Sequence, residues 1–263
     1  MKVCSLILLL WITVVNALEL VDEAYPSIET LACAARSAGT ARVEKKRITD
    51  ITHELRPDLP SFGGEFPVTD AVKLVRGMRR DKEICNLSEL KIIVHSGTHV
   101  DAPGHFINEF YEAGYDVNGL DLEILVGPVL IVDVSKEEGH ITEQVLQKLK
   151  IPRGVERVIF KTANTPRRLM YKPEFDTSYV GFTKEGAEWL VTNTDIKLVG
   201  IDYLSVAIAE DPTGPHEAFL SRKLILVEAL KLDEVDAGLS TLYCLPLRLI
   251  KAEGSPARCI LIS

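Results

Sequence analysis

Short apolar runs separated by chain breakers recur from residue 48 onward. Ile48–Ile51, Leu90–Val94, Val129–Asp133, Val155–Phe160, Leu198–Ile201, Leu224–Val227 and the stretch around Cys259–Ile262 are rich in Val, Ile and Leu. Runs of this length and composition predict strands. Helical spacing is rarer. Val145, Leu146 and Leu149 share one side of a segment that Thr142 can cap, and Ala187, Trp189 and Leu190 follow Thr183 in the same way. Arg56-Pro-Asp-Leu-Pro60 and Gly63-Gly64 read as a loop rich in breakers, and Leu18–Arg47 as a weakly helical extension. Together these predict an α/β domain, a mixed sheet with flanking helices. The strand-to-helix alternation is too irregular for a Rossmann or TIM pattern. The sequence has no phosphate-cradling glycine loop and no GxSxG nucleophile elbow.

The first residues follow a different rule. Lys2 precedes an apolar stretch, Ser5–Val15, and Val15-Asn16-Ala17 offers residues suited to a cleavage site. The stretch is too short to span a bilayer comfortably. Residues 1–17 are therefore expected to be a signal peptide, 18–47 an N-terminal extension, and 48–263 a single domain of a secreted protein. The net charge of −8 argues against nucleic acid and anionic membrane surfaces as partners. Beyond Cys4, the four cysteines Cys33, Cys85, Cys244 and Cys259 permit up to two disulfides in an oxidising compartment, and spacing does not choose among the pairings. Asn86-Leu-Ser88 is an acceptor for N-glycosylation.

The densest chemistry lies in His95-Ser-Gly-Thr-His99-Val-Asp101-Ala-Pro-Gly-His105, which holds three of the six histidines. Imidazole nitrogen and carboxylate oxygen suit divalent metals of borderline softness. Gly97, Pro103 and Gly104 break any continuous helix. His95 is therefore expected at the end of the Lys91–Val94 strand, with His99, Asp101 and His105 on the following loop. Glu228 interrupts an apolar run and needs a partner, for which Arg222 and Lys223 are local candidates. His53 is expected to be structural and His140 an exposed residue at a helix start.

That eleven-residue segment resembles the HxGTHxDxPxH signature of the cyclase family, which includes bacterial kynurenine formamidases and isatin hydrolases. Asp50-Ile-Thr-His53 with Pro57 and Pro60 resembles its opening motif, and Gly200-Ile-Asp202-Tyr-Leu-Ser205, His216 and Glu228 its distal half. With its leader and extension, the chain is most similar to the plant-type cyclase-like proteins of the extracellular matrix. The resemblance implies a swivelling β/β/α fold holding two divalent ions, zinc ahead of manganese. His95, His99 and Asp101 would ligate one ion, and Asp101 would bridge to a second held by His216 and Glu228. His105 would remain as general acid/base, with a third ligand position on the first metal as its alternative role. The implied activity is hydrolysis of a small amide, formamide or lactam, with a homodimer as the implied assembly. The competing expectation is an extracellular regulatory or binding protein that keeps the metal site without turnover. Ser61-Phe62-Gly63-Gly64 stands where relatives often carry tryptophan, proline and glycine, leaving Phe62 as the candidate aromatic wall of the substrate pocket. Lys161-Thr162-Ala163-Asn164 stands where an arginine-threonine-glycine sequence is usual, and reads as a strand end running into a loop.

Overall fold

Four parallel strands carry the middle of the chain in the computed structural model, which describes residues 46–64, 67–69 and 71–263. They are β5 (Val126–Asp133), β6 (Arg157–Lys161), β7 (Leu198–Ile201) and β8 (Ile225–Glu228), each paired with the next. The connections are helical: α3 (Glu143–Leu149), α4 (Lys184–Asn193) and α5 (Gly214–Leu220). The shorter α1 (Asn108–Glu112) and α2 (Leu122–Leu125) precede β5. Thr142 and Thr183 cap α3 and α4, accepting from the backbone N–H groups of Val145 and Gly186, as their spacing predicted. Strand–helix alternation over 126–228 is thus more regular than the sequence suggests. Gly214 and Pro215 hide α5, although proline is well tolerated in a first turn.

Antiparallel strands complete the sheet. β4 (His99–Asp101) pairs β8, β9 (Gly238–Pro246) pairs β5, and β10 (Gly254–Ile262) pairs both β4 and β9, while β1 (Ile48–Asp50) adds to the outer end of β10. The order β10-β4-β8-β7-β6-β5-β9 returns to β10 and closes a seven-stranded barrel, which abolishes exposed edges there. Alternate residues such as Val100, Val129, Ile131, Ile159, Val227, Leu242 and Leu261 fill one core. Their neighbours Val132, Phe160, Ile201 and Leu226 face the other way and pack with Leu146, Leu190 and Phe219 of the helices. Strands buried on both faces explain why these runs read as continuously apolar. A mixed α/β domain is therefore correct, with the mixed sheet closed on itself.

Several local expectations need correction. Lys91–Val94 is not a strand. The strand is β3 (Leu87–Leu90), which pairs β2 (Val72–Arg76) in a separate two-stranded arm whose residues are all exposed. Ile92 instead packs against the Leu169–Tyr203 cluster, and Ile93 faces a cavity. His140 is half-buried, with Nδ1 buried and unpaired, rather than exposed. Cys244 and Cys259 face each other in register across β9–β10 and are disulfide-bonded, with Cα atoms 4.0 Å apart. Cys85 and Asn86 are exposed. The expected signal peptide, most of the extension and Cys33 lie outside the described residues. No helix among the described residues is long and apolar enough to cross a membrane.

Candidate metal centre

His99 and Asp101 sit on β4 itself, not on a loop. Side chains two apart on a strand share a face; Val100 between them enters the barrel interior, so His99 and Asp101 point to the outer face. The β4–β8 register sets His99 opposite Glu228. His95 lies in a turn rather than at a strand end, and Gly97 (φ +63°) reverses the chain there in a conformation L side chains rarely adopt. Thr98 fastens that turn: its hydroxyl donates to Ala229 O (2.6 Å) and accepts from the His53 backbone N–H (2.9 Å). His105 follows in a short 3-10 turn, Pro103–His105. His216 enters from α5, its ring stacked on Phe106 at 4.1 Å.

The five candidate ligands converge. His99 Nε2 is 3.3 Å from Asp101 Oδ1 and 3.4 Å from Glu228 Oε2. His95 Nδ1 is 2.8 Å from Asp101 Oδ1, and His216 Nε2 lies 3.3 Å from Glu228 Oε1 and 3.9 Å from Asp101 Oδ2. Three overlapping groups are placed to hold a cation: His95/His99/Asp101 and Asp101/His216/Glu228, with Asp101 common to both, and the less buried His95/His105/Glu253. Glu228 therefore finds its partners across the fold, not in Arg222 or Lys223.

Polarity and tautomer suit a cation. His99 Nδ1 donates to Gly97 O (2.8 Å) and His216 Nδ1 to Pro212 O (2.6 Å). Each ring, when neutral, then presents an unprotonated Nε2 to carboxylate oxygens, an arrangement that needs positive charge between the partners. Asp101 is fully buried and its Oδ2 has no hydrogen-bond partner, while Glu228 is almost fully buried. Two buried carboxylates this close are costly without cations. In the metal-free cluster the imidazoles must supply that charge. Burial disfavours the His99 cation, but hydrogen bonds to Asp101 and Glu228 push its pKa up to about 10. Burial likewise opposes ionisation of Asp101, yet His105, His95 and the hydrogen bonds from His95 and His99 hold its carboxyl well below the usual range. The donor set, the shared carboxylate and the orphaned Oδ2 all fit divalent metal ions.

His105 behaves differently. Burial pushes its pKa down to about 4, against the pull of Asp101, so it is neutral at neutral pH. Its ring stacks on His95 at 3.9 Å and meets Phe106 edge-on. A cavity of about 450 Å³ opens over the cluster, with Phe62, Ile93, Phe106 and Leu204 among its walls and His95, His99, His105, His216 and Glu228 at its base. Phe62 lines it, half-exposed and leaning on Phe175 at 5.0 Å between ring centroids. His53 is buried and edge-on to Tyr171, as a structural residue should be. The 162–165 loop closes on Asp202, whose carboxylate accepts from the backbone N–H and hydroxyl of both Thr162 and Thr165.

Two neighbours escaped sequence reasoning. Glu253 Oε1 is 3.3 Å from His95 Nε2. Gly254, opposite Asp101 in the β10–β4 register, leaves the space that the His95 ring occupies; a Cβ there would lie 2.4 Å from His95 Cε1. A charged residue beside a glycine at the start of the last strand was the available signal.

A closed mixed barrel with a His/Asp/Glu cluster on its outer face defines an α/β protein equipped for divalent cations. The chain belongs to the cyclase family: the family model described as "Putative cyclase" matches residues 49–207. Cyclase-like protein 2 of Arabidopsis thaliana is 55% identical over 217 residues, covering 82% of this chain and 79% of that protein. Kynurenine formamidase of Bacillus thuringiensis (strain Al Hakam) is 32% identical over 213 residues, covering 81% and 95%. Among solved structures, a predicted metal-dependent hydrolase from Bacillus stearothermophilus superposes with TM-score 0.68 at 26% identity, over 82% of this chain and 98% of that one. Isatin hydrolase A from Labrenzia aggregata shares the fold with TM-score 0.70 at 22% identity, over 90% and 99%.

Proposed function

We propose that the protein is a metal-dependent hydrolase of a small amide, formamide or lactam. The observation that carries this reading is the His105 imidazole, stacked on His95 beside a cation-competent cluster at the base of a largely apolar cavity. Two divalent ions, zinc ahead of manganese, would be held by His95, His99 and Asp101 and by Asp101, His216 and Glu228, supplying Lewis acidity and a nucleophilic water when bound. The rest falls to the chain. His105 starts as a base: its free imidazole nitrogen accepts the proton released as the carbonyl carbon is attacked, then returns it to the departing nitrogen. Ile93, Phe106 and Leu204 exclude bulk water, and Phe62 offers a face to a planar substrate. The hydrolase names of the kynurenine formamidase and metal-dependent hydrolase relatives support the reaction class.

Secretion belongs to the same reading, supported by the leader pattern of residues 1–17. A homodimer does too, supported by the exposed β2–β3 arm with Val72, Leu74, Val75, Leu87 and Leu90. The test is turnover of N-formyl arylamines and isatin-like lactams by zinc- and manganese-loaded protein, with His105→Ala beside it. The variant should keep its metal and lose about 10²–10⁴-fold in kcat. Wild-type activity in His105→Ala would refute the assigned role. Retained metal with no turnover of any substrate in the wild type would favour the secreted binding protein instead.

A further inference from the structure

Each candidate histidine ligand needs its second ring nitrogen held, since that contact fixes which nitrogen is free and where the ring points. Backbone carbonyls serve two of them, Gly97 O for His99 and Pro212 O for His216. His95 has no such carbonyl in its hydrogen bonds. Its Nδ1 faces Asp101 Oδ1 at 2.8 Å, and its Nε2 faces Glu253 Oε1 at 3.3 Å.

We infer that Glu253 is the positioning residue of the metal centre, accepting the Nε2 proton of His95 so that Nδ1 is turned, unprotonated, toward Asp101. Its backbone is suited to the task. Glu253 O accepts from the Ala102 N–H at 2.8 Å, and the next residue, Gly254, pairs with Asp101. The last strand thereby fixes the carboxylate directly against the segment that carries the ligands. Gly254 completes the arrangement by admitting the ring. Glu253 is half-buried, its side chain 34% exposed, so its removal leaves no buried charge stranded. His105 is the other imidazole within reach, since His95, His105 and Glu253 form a third close group. The hydrogen bond goes to His95.

This inference rests on the proposed metal centre, and the experiment separates the two. Zinc affinity is measured by chelator competition for the full-length wild type, Glu253→Ala and Glu253→Gln, with the Co²⁺ absorption spectrum and metal-free unfolding midpoint of each. Glu253→Ala should bind zinc about 10–100-fold more weakly with an altered Co²⁺ spectrum. Glu253→Gln, whose amide oxygen still accepts from Nε2–H, should recover most of that loss. The metal-free midpoints should coincide. No zinc binding by the wild type would overturn the metal reading itself. Tight wild-type binding with an equally tight Glu253→Ala would overturn only the role of Glu253. Equal losses in both variants would also overturn it, because charge rather than orientation would then be the cause.

Discussion

Gly254→Ala tests the centre without replacing any of its candidate ligands. The added Cβ would stand 2.4, 2.7 and 2.9 Å from Cε1, Nε2 and Nδ1 of His95, whereas ordinary contacts begin at 3.4 Å. The ring must therefore retreat by about 1 Å, which is feasible because the His95 side chain is 18% exposed. A metal–nitrogen bond of about 2.0–2.1 Å tolerates only about 0.2 Å of displacement. His95 would thus cease to ligate, and the 2.8 Å contact to Asp101 would open. Zinc affinity should fall at least about 10-fold, equivalent to ~1.4 kcal/mol. Overpacking should destabilise the metal-free fold by about 1 kcal/mol, the low end for such insertions, since the obstacle is a movable side chain. Chelator competition and urea unfolding measure the two effects. Gly119→Ala is the control, because the nearest atom to its new Cβ, Asp116 Oδ1, is 3.8 Å away. If Gly254→Ala bound zinc within twofold of wild type, His95 would not be a ligand and the reasoning from its geometry would be wrong.

Other predictions follow from the same structure. Asp101→Ala should lose both of the proposed ions, since Oδ1 faces His95 and His99 while Oδ2 faces His216; elemental mass spectrometry that found one retained ion would rule out a shared carboxylate. His53 should make stability pH-dependent. Burial, aided by Arg56 and Lys231 and opposed by Asp233, lowers its pKa from 6.5 to about 4. The unfolded chain then binds more protons across that window, so stability is complete above about pH 6.5 and falls by up to about 3 kcal/mol as the pH drops to 4. Urea midpoints of wild type and His53→Asn should converge in acid, and parallel curves would count against it. Replacing both Cys244 and Cys259 by alanine should destabilise the barrel by about 3 kcal/mol, given the sequence separation of 15. An unchanged urea midpoint would show that the bridge contributes nothing.

The legible parts of this protein are those whose local chemistry and global role agree. Leu198–Ile201 is apolar because both faces of β7 are buried, and its apolar run ends where the strand ends. Thr142 and Thr183 signal helices because capping is a local bond. The ligand segment was recognisable as metal-competent from residue types alone, and its division of labour came from family likeness. What failed depends on partners distant in sequence. Lys91–Val94 has strand composition, but its isoleucines are committed to a core contact and a cavity wall. β9 mixes exposed and buried positions because it pairs two strands on a curved surface, which blurs its alternation. Glu253 and Gly254 acquire meaning only when the barrel closes and brings them to His95, 158 residues away in sequence in the case of Glu253.

That closure sets an order for folding. β10 pairs Gly254 with Asp101, Cys259 with Cys244 and Ile262 with Ile48. A chain whose β10 is not yet docked has no seam to lock His95, His99, Asp101, His216 and Glu228 against. The disulfide and the sealed barrel therefore depend on the same docking of β10. Contacts of such long range make that docking the slow step of folding.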